Sequence, residues 1–210
     1  MISKFMNLST EKQERILNAA LKEFAQKGYK NASTNEIVKG AKISKGLLFH
    51  YFSNKKSLFM FLLDHAGNIF LDEFYSRLNY DETDIVSRWR QIVLLKIDLI
   101  QKHPDLYEFL ITSSTDDSLE IKLEVESRSK GILEDGYKRL LENIDTSGYK
   151  EGLDIKRVSD IIIWIVQGFG NSELEKMKHI PEYKTHYDLN VIMAEFDEYM
   201  ELFKNAFYAN

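Results

Sequence analysis

Ser44, Lys45, Gly46 and Leu47 stand in a row, and Phe49, His50, Tyr51 and Lys55 follow within three helical turns. That order holds no nucleophile with its base and no set of metal ligands. It offers a cation, a bare backbone position and an apolar tip, then ring edges and hydrogen-bond donors. Such types suit recognition of an anionic surface rather than bond-breaking. Lys45 can reach guanine acceptors or a phosphate, Gly46 lets a backbone approach, and Leu47 can touch a thymine methyl. Ser44 can cap a helix and also donate to a phosphate, where free N–H groups at the helix start favour an anion. Phe49, His50 and Tyr51 would then face a sugar–phosphate strand. The grooved polyanion that fits these groups is duplex DNA.

Positioning those side chains requires two short helices joined by a tight turn, and Ser33 to Lys56 supplies that pattern. Ser33 with Glu36 reads as a capping box, with Thr34 as an alternative cap, opening a helix to about Gly40. Ser44 caps the next, which ends near Phe52. Leu48 and Phe52, four apart, should point inward against Ile37, Val38 and a preceding helix built on Ile16, Leu17, Ala20, Leu21 and Phe24. Thr10 and Gln13 offer a capping box for that first helix, and Gly28 ends it. Beyond Ser53-Asn54 the helical period continues over about 55–79, 82–102, 104–113, 117–144, 154–177 and 187–207. The reading is an all-α chain of nine helices: a three-helix helix-turn-helix head over residues 1–54 and a six-helix body over 55–210.

Charge follows the same division. Residues 1–57 hold eleven Lys or Arg against four Asp or Glu, a net charge of +7 that leaves −12 for the rest of a chain whose total is −5. A basic head on an acidic body implies that only the first quarter meets a polyanion. There is no cysteine among the 210 residues, so disulfides and thiolate metal sites are excluded. No apolar run reaches the roughly 20 residues that span a bilayer, and the N-terminus lacks the apolar core of a signal peptide. A cytoplasmic location and no membrane partner are expected.

Residues from about 10 to 63 closely resemble the DNA-binding head of TetR-type transcriptional regulators. The resemblance rests on AALKEFAQKGYKNAST, on NEI of the first motif helix, and on SKGLLFHYFSNKKSLF. It implies phosphate contacts for Thr34, His50, Tyr51 and Lys55, and base-side contacts for Lys45, Gly46 and Leu47. Two positions depart from the family pattern. Phe49 stands where a tyrosine is usual, so one phosphate hydrogen bond is lost. The inter-helix turn is Ala41-Lys42-Ile43 rather than Ala-Gly-Val. A left-handed Lys42 would cost roughly 1 kcal/mol relative to glycine, offset by attraction to phosphate.

The body carries no catalytic constellation, and an enzyme is not expected. His179 and His186, seven apart with Glu182 between them, are read as loop residues rather than metal ligands, and no cofactor is expected. Asp116-Asp117 is read as negative charge at a helix N-terminus. Trp89, Tyr107, Phe109, Tyr137, Trp164 and Phe169, with Arg90 and Gln167, are the candidates for a partly apolar effector pocket, as the family resemblance implies. Ile161, Ile162, Ile165 and Phe169, with Ile192, Phe196, Met200 and Phe203, form stripes assigned to a homodimer interface. Gly168 and Gly170 would allow a partner helix to approach. The expected function is a homodimeric, ligand-responsive repressor of a palindromic operator. The rivals are a DNA-binding architectural or cell-cycle factor of the same fold without an effector, and an all-helical enzyme.

Overall fold

The computed structural model describes residues 2–179 and 188–209. Among them are ten helices: α1 (Ile2–Met6), α2 (Thr10–Asn31), α3 (Thr34–Ala41), α4 (Lys45–Tyr51), α5 (Lys55–Arg77), α6 (Ile85–Lys102), α7 (Pro104–Ser114), α8 (Lys122–Leu140), α9 (Ile155–His179) and α10 (Leu189–Phe207). The only β-type pairing in this part is an isolated bridge between Tyr149 and Tyr208. The all-α expectation holds. The short α1 was not foreseen; it brings Phe5 into the core against Phe52 and Phe61.

Two compact units are present: Met1–Leu78 with Leu95–Arg139, and Asn79–Leu94 with Leu140–Asn210. In the first, one hydrophobic core runs without a break from Phe5, Ile16 and Phe24 through Ile37, Leu48 and Phe52 to Phe59, Leu62, Phe109 and Ile121. The three helices of the motif therefore share their interior with α5, α7 and the start of α8. Leu48 and Phe52 point inward as their spacing requires, both almost fully buried.

Several helix ends differ from expectation for identifiable reasons. Gly28 does end the first helix, at φ 67 and ψ 174, but helical turns resume beyond it to Asn31. No capping box forms at Thr10, because Gln13 Nε2 reaches back to the carbonyls of Met6 and Leu8. Ser33 occupies the N-cap of α3 without a side-chain cap, and its own N–H donates to Glu23 Oε1 at 2.9 Å. α6 starts at Ile85 rather than 82 because Asp84 Oδ1 accepts from Ser87 N at 2.8 Å. α8 is shorter than expected at both ends, and Asn143 just beyond it takes a left-handed φ of 59.

The second unit is organised around Arg88, which has no exposed surface. Its guanidinium donates to the carbonyls of Tyr80, Glu82, Leu140 and Glu142. Four backbone acceptors take the place of a carboxylate and satisfy carbonyls at the end of α8. Tyr208 closes the unit by donating to Asp84 Oδ2 at 2.7 Å. α9 and α10 pack through Phe169 on Phe196, ring centroids 5.3 Å apart.

That packing corrects the assignment of the dimer stripes. Ile162, Phe169, Ile192, Phe196, Met200 and Phe203 are all buried within the protomer, and Ile161 and Ile165 are half-buried. Both helices are apolar on more than one face, so helical period alone could not separate the core face from an outer one.

Candidate DNA-recognition face

The turn between α3 and α4 is built by Lys42, which adopts φ 52 and ψ 46. Its N–H bonds to Lys39 O at 3.2 Å and that of Ile43 bonds to Val38 O at 3.1 Å, the paired closure of a Schellman motif. Arg15 Nε takes the free carbonyl of Ala41 at 2.9 Å, fixing the end of α3 to α2. α4 then starts on Ser44, whose Oγ accepts from Leu47 N at 3.2 Å. The cap uses the hydroxyl as an acceptor, so its O–H is still available to donate.

Beyond the cap, Lys42, Ser44, Lys45, Gly46 and His50 are exposed, and Thr34, Leu47 and Phe49 are half-buried. A Cβ on Gly46 would meet no atom within 4 Å, so nothing inside the protomer requires glycine there. Lys42 and Lys45 make no ion pair among the described residues. Tyr51 differs: it is buried, its ring 6.1 Å from that of Phe5. Nine of the ten candidate residues thus lie on or beside the turn and α4, or open α3.

Lys55 is the tenth, and it has partners already. Its Nζ donates to Lys30 O at 3.2 Å and lies 4.9 Å from the centre of the Tyr29 ring. Burial lowers its pKa, against the opposing pull of Glu120, Asp116 and Glu23.

Tyr29 is the centre of a junction that the sequence did not disclose. Its N–H donates to Asp116 Oδ2 at 2.6 Å, across 87 residues of chain. Thr112 Oγ1 donates to Ala25 O at 3.2 Å beside it. Asp116 therefore does not serve the start of α8, six residues away; it caps the helical turn that resumes after Gly28. Burial alone would raise its pKa, but hydrogen bonds from Ser118, Tyr29 and Lys30 outweigh that and hold it below the usual carboxylate value. The Tyr29 hydroxyl is pushed up by burial and by its hydrogen bond to Glu120. An open groove of about 880 Å³ runs along these residues. Only a legible hint existed: two adjacent aspartates in a loop.

The described pocket candidates take up different surroundings within their own units. Tyr107 is half-buried and stacks on Phe70, while Phe109 is locked in the first unit's core against Phe24 and Phe59. Trp89 and Phe169 are buried in the second unit. Arg90 and Gln167 are on its surface, Arg90 bound to Asp197 at 2.8 Å, and Trp164 is 66% exposed. Side chains that period alone places on a helix were here divided between core, surface and ion pair. The Tyr137 and His179 side chains, Glu182 and His186 lie outside the described residues. No group of three or more metal-ligating side chains occurs among those described.

Comparison with known proteins agrees with this geometry. Residues 16–60 match the family model described as bacterial regulatory proteins, tetR family. The uncharacterized HTH-type transcriptional regulator YuxN of Bacillus subtilis (strain 168) is 34% identical over 125 residues, 58% of this chain and 40% of that protein. The fatty acid metabolism regulator protein of the same strain is 26% identical over 165 residues, 75% of this chain and 80% of its own. The crystal structure of the transcriptional regulator FadR from Bacillus subtilis in complex with stearoyl-CoA has a TM-score of 0.61 at 18% identity, covering 90% of this chain and 96% of that one. The last likeness is one of fold. The matched stretch spans less than half of YuxN's length. These relatives are named as regulators, and the span matched by the family model lies within α2 to α5. Residues 16–60 are thus similar to the tetR family of bacterial regulatory proteins, and the chain shares the fold of solved structures described as TetR family regulators.

Proposed function

We propose that the protein is a homodimeric repressor, acting in the cytoplasm, that reads a two-fold-symmetric operator and is released by a small molecule. The observation that carries this reading is the exposed tip of α4, where Lys45 and Gly46 stand clear of the protomer behind a formed Ser44 cap. Lys45 and Leu47 read base edges, and Thr34, Lys42, Ser44, His50 and Lys55 hold phosphates. One such helix contacts too few base pairs for strong discrimination, and a dimer doubles the contact.

The dimer surface in this proposal is the outer face of α9 and α10. Trp164, Val191, Tyr199 and Leu202 are exposed there, and a Cβ on Gly168 would meet nothing within 4 Å. Apolar groups left in water on two adjacent helices support a helix-to-helix contact between copies.

An amphipathic acyl compound is the effector class, in line with the stearoyl-CoA bound by a relative of the same fold. Coupling runs through the first unit's unbroken core and the Asp116–Tyr29 junction, where α7 and its following loop grip the end of α2. A ligand that favours one arrangement of that grip shifts the population of DNA-binding heads. The test is selection of operator sequences with the purified full chain, then titration of the selected duplex with stearoyl-CoA. Sequence-specific binding that the thioester weakens is expected. Tight binding that no acyl compound alters would overturn the ligand-response part.

A further inference from the structure

The helical turn that resumes beyond Gly28 is held by side chains from distant parts of the first unit. Lys30 sits in that turn, four residues before Thr34 opens α3. Its N–H donates to the Asp116 carboxylate, and its carbonyl accepts from Lys55 Nζ at 3.2 Å. Both backbone polar groups of Lys30 are thus tied to charged partners, and charge-assisted hydrogen bonds are the stronger kind. Tyr29, next to it, is buried with Lys55 over its ring. Lys30 itself is exposed, and its ammonium makes no ion pair among the described residues. A long, free cation therefore extends from a fixed base.

Lys30 lines the open groove together with Lys27, Lys55, Asp116, Asp117 and Glu120. The carboxylates there already have partners. Asp116 takes backbone N–H groups, Asp117 binds Lys122 at 3.0 Å, and Glu120 is hydrogen-bonded to the Tyr29 hydroxyl. An anion to match Lys30 must come from outside the protomer. Its position says which one. A phosphate oxygen bound by Lys55 Nζ would lie about 3 Å from it, and so within about 6 Å of the Lys30 carbonyl oxygen. The four-methylene stem of a lysine covers that distance. We infer that Lys30 is a further phosphate contact, binding the operator backbone at or next to the phosphate that Lys55 holds. This assignment rests on the DNA-binding reading above. The contact carries no sequence information of its own; it adds one neutralised phosphate and fixes register. Asp116 is then a positioning residue, because it fixes the turn from which Lys30 extends.

The experiment uses the full chain as wild type, Lys30→Ala, Lys30→Arg and Lys55→Ala. Binding of the selected operator and of a random duplex is titrated with salt for each, and phosphate-ethylation interference is mapped on the operator. Lys30→Ala keeps both backbone hydrogen bonds, so its melting temperature should match that of wild type. The expected result is a salt slope lowered by about one on both duplexes in Lys30→Ala, restored in Lys30→Arg. Interference at one phosphate, the same as or next to the one that depends on Lys55, should disappear with it. A lower slope with an unchanged interference pattern would mean long-range charge without contact, and would overturn the assignment. Should Lys30→Ala keep the wild-type slope while Lys55→Ala lowers it, the Lys30 assignment is overturned and the DNA-binding reading stands. Should wild type bind neither duplex, both fall.

Discussion

Lys42 holds a conformation that an L-residue with a Cβ adopts at a cost, and it does so because the Schellman closure of α3 needs a left-handed residue there. Replacing it with glycine should raise the stability of the free protein by about 1 kcal/mol. The same change removes an exposed cation beside α4, so operator affinity should stay level or fall. Thermal melts paired with salt-titrated binding check this, and a less stable Lys42→Gly variant would contradict the strain. Lys45 and Lys55 separate the two kinds of contact. Lys45→Ala should lose discrimination between operator and random duplex. Lys55→Ala should weaken all duplexes alike and lower the salt slope by about one. Because Lys55 also caps Lys30 O and covers Tyr29, its alanine variant should in addition melt earlier, whereas Lys45→Ala should not.

Among the elements, the junction of α2 with the loop after α7 is the place where a change in the body could reach the head. Asp116 accepts three backbone hydrogen bonds there, and together they lower its pKa despite burial. A carboxylate whose pKa is depressed on folding stabilises the protein at pH above its unfolded value, near 3.8, and that contribution disappears as pH falls through the folded value. Asp116→Asn should therefore lower stability by about 1 kcal/mol at neutral pH, where a charge-assisted hydrogen bond is replaced by a neutral one. As pH falls from 3.8 through the lower folded value, wild type and variant should converge. Chemical denaturation from pH 3 to 7 measures the difference. In the operator-release assay, Asp116→Asn should also need a different effector concentration than wild type, since the proposed coupling runs through that grip.

At the scale of the whole molecule, the basic first quarter and acidic remainder suit the proposed division, in which one part meets nucleic acid and the rest repels it. The exposed apolar groups of α9 and α10 belong to the same scale, as the surface of the proposed dimer. Leu202 is 67% exposed, so Leu202→Glu should leave the protomer's melting temperature nearly unchanged. The same substitution should halve the mass in sedimentation and weaken operator binding by more than tenfold. A dimer that survives both Leu202→Glu and Trp164→Glu would place the interface elsewhere.

The recognition motif was legible because its chemistry is local. Caps, a left-handed turn, a bare glycine and a lysine act through neighbours within four residues, and their order in the chain is their order in space. Helix positions came from hydrophobic period for the same reason, with ends displaced wherever a distant group intervened: Gln13 pulled back to α1, and Arg88 gathering the carbonyls after α8. Phe49 and Tyr51 show the limit, since rings two residues apart in one motif end up half-buried and buried. Period cannot say which apolar face of α9 or α10 meets the core, because several faces of each are apolar. Nor can it show that Asp116 reaches Tyr29. By itself the sequence determined the all-helical class, the charge division and the DNA-reading turn. Only the tertiary structure decided which side chains are core, outer face or junction, because those depend on contacts between residues far apart in the chain.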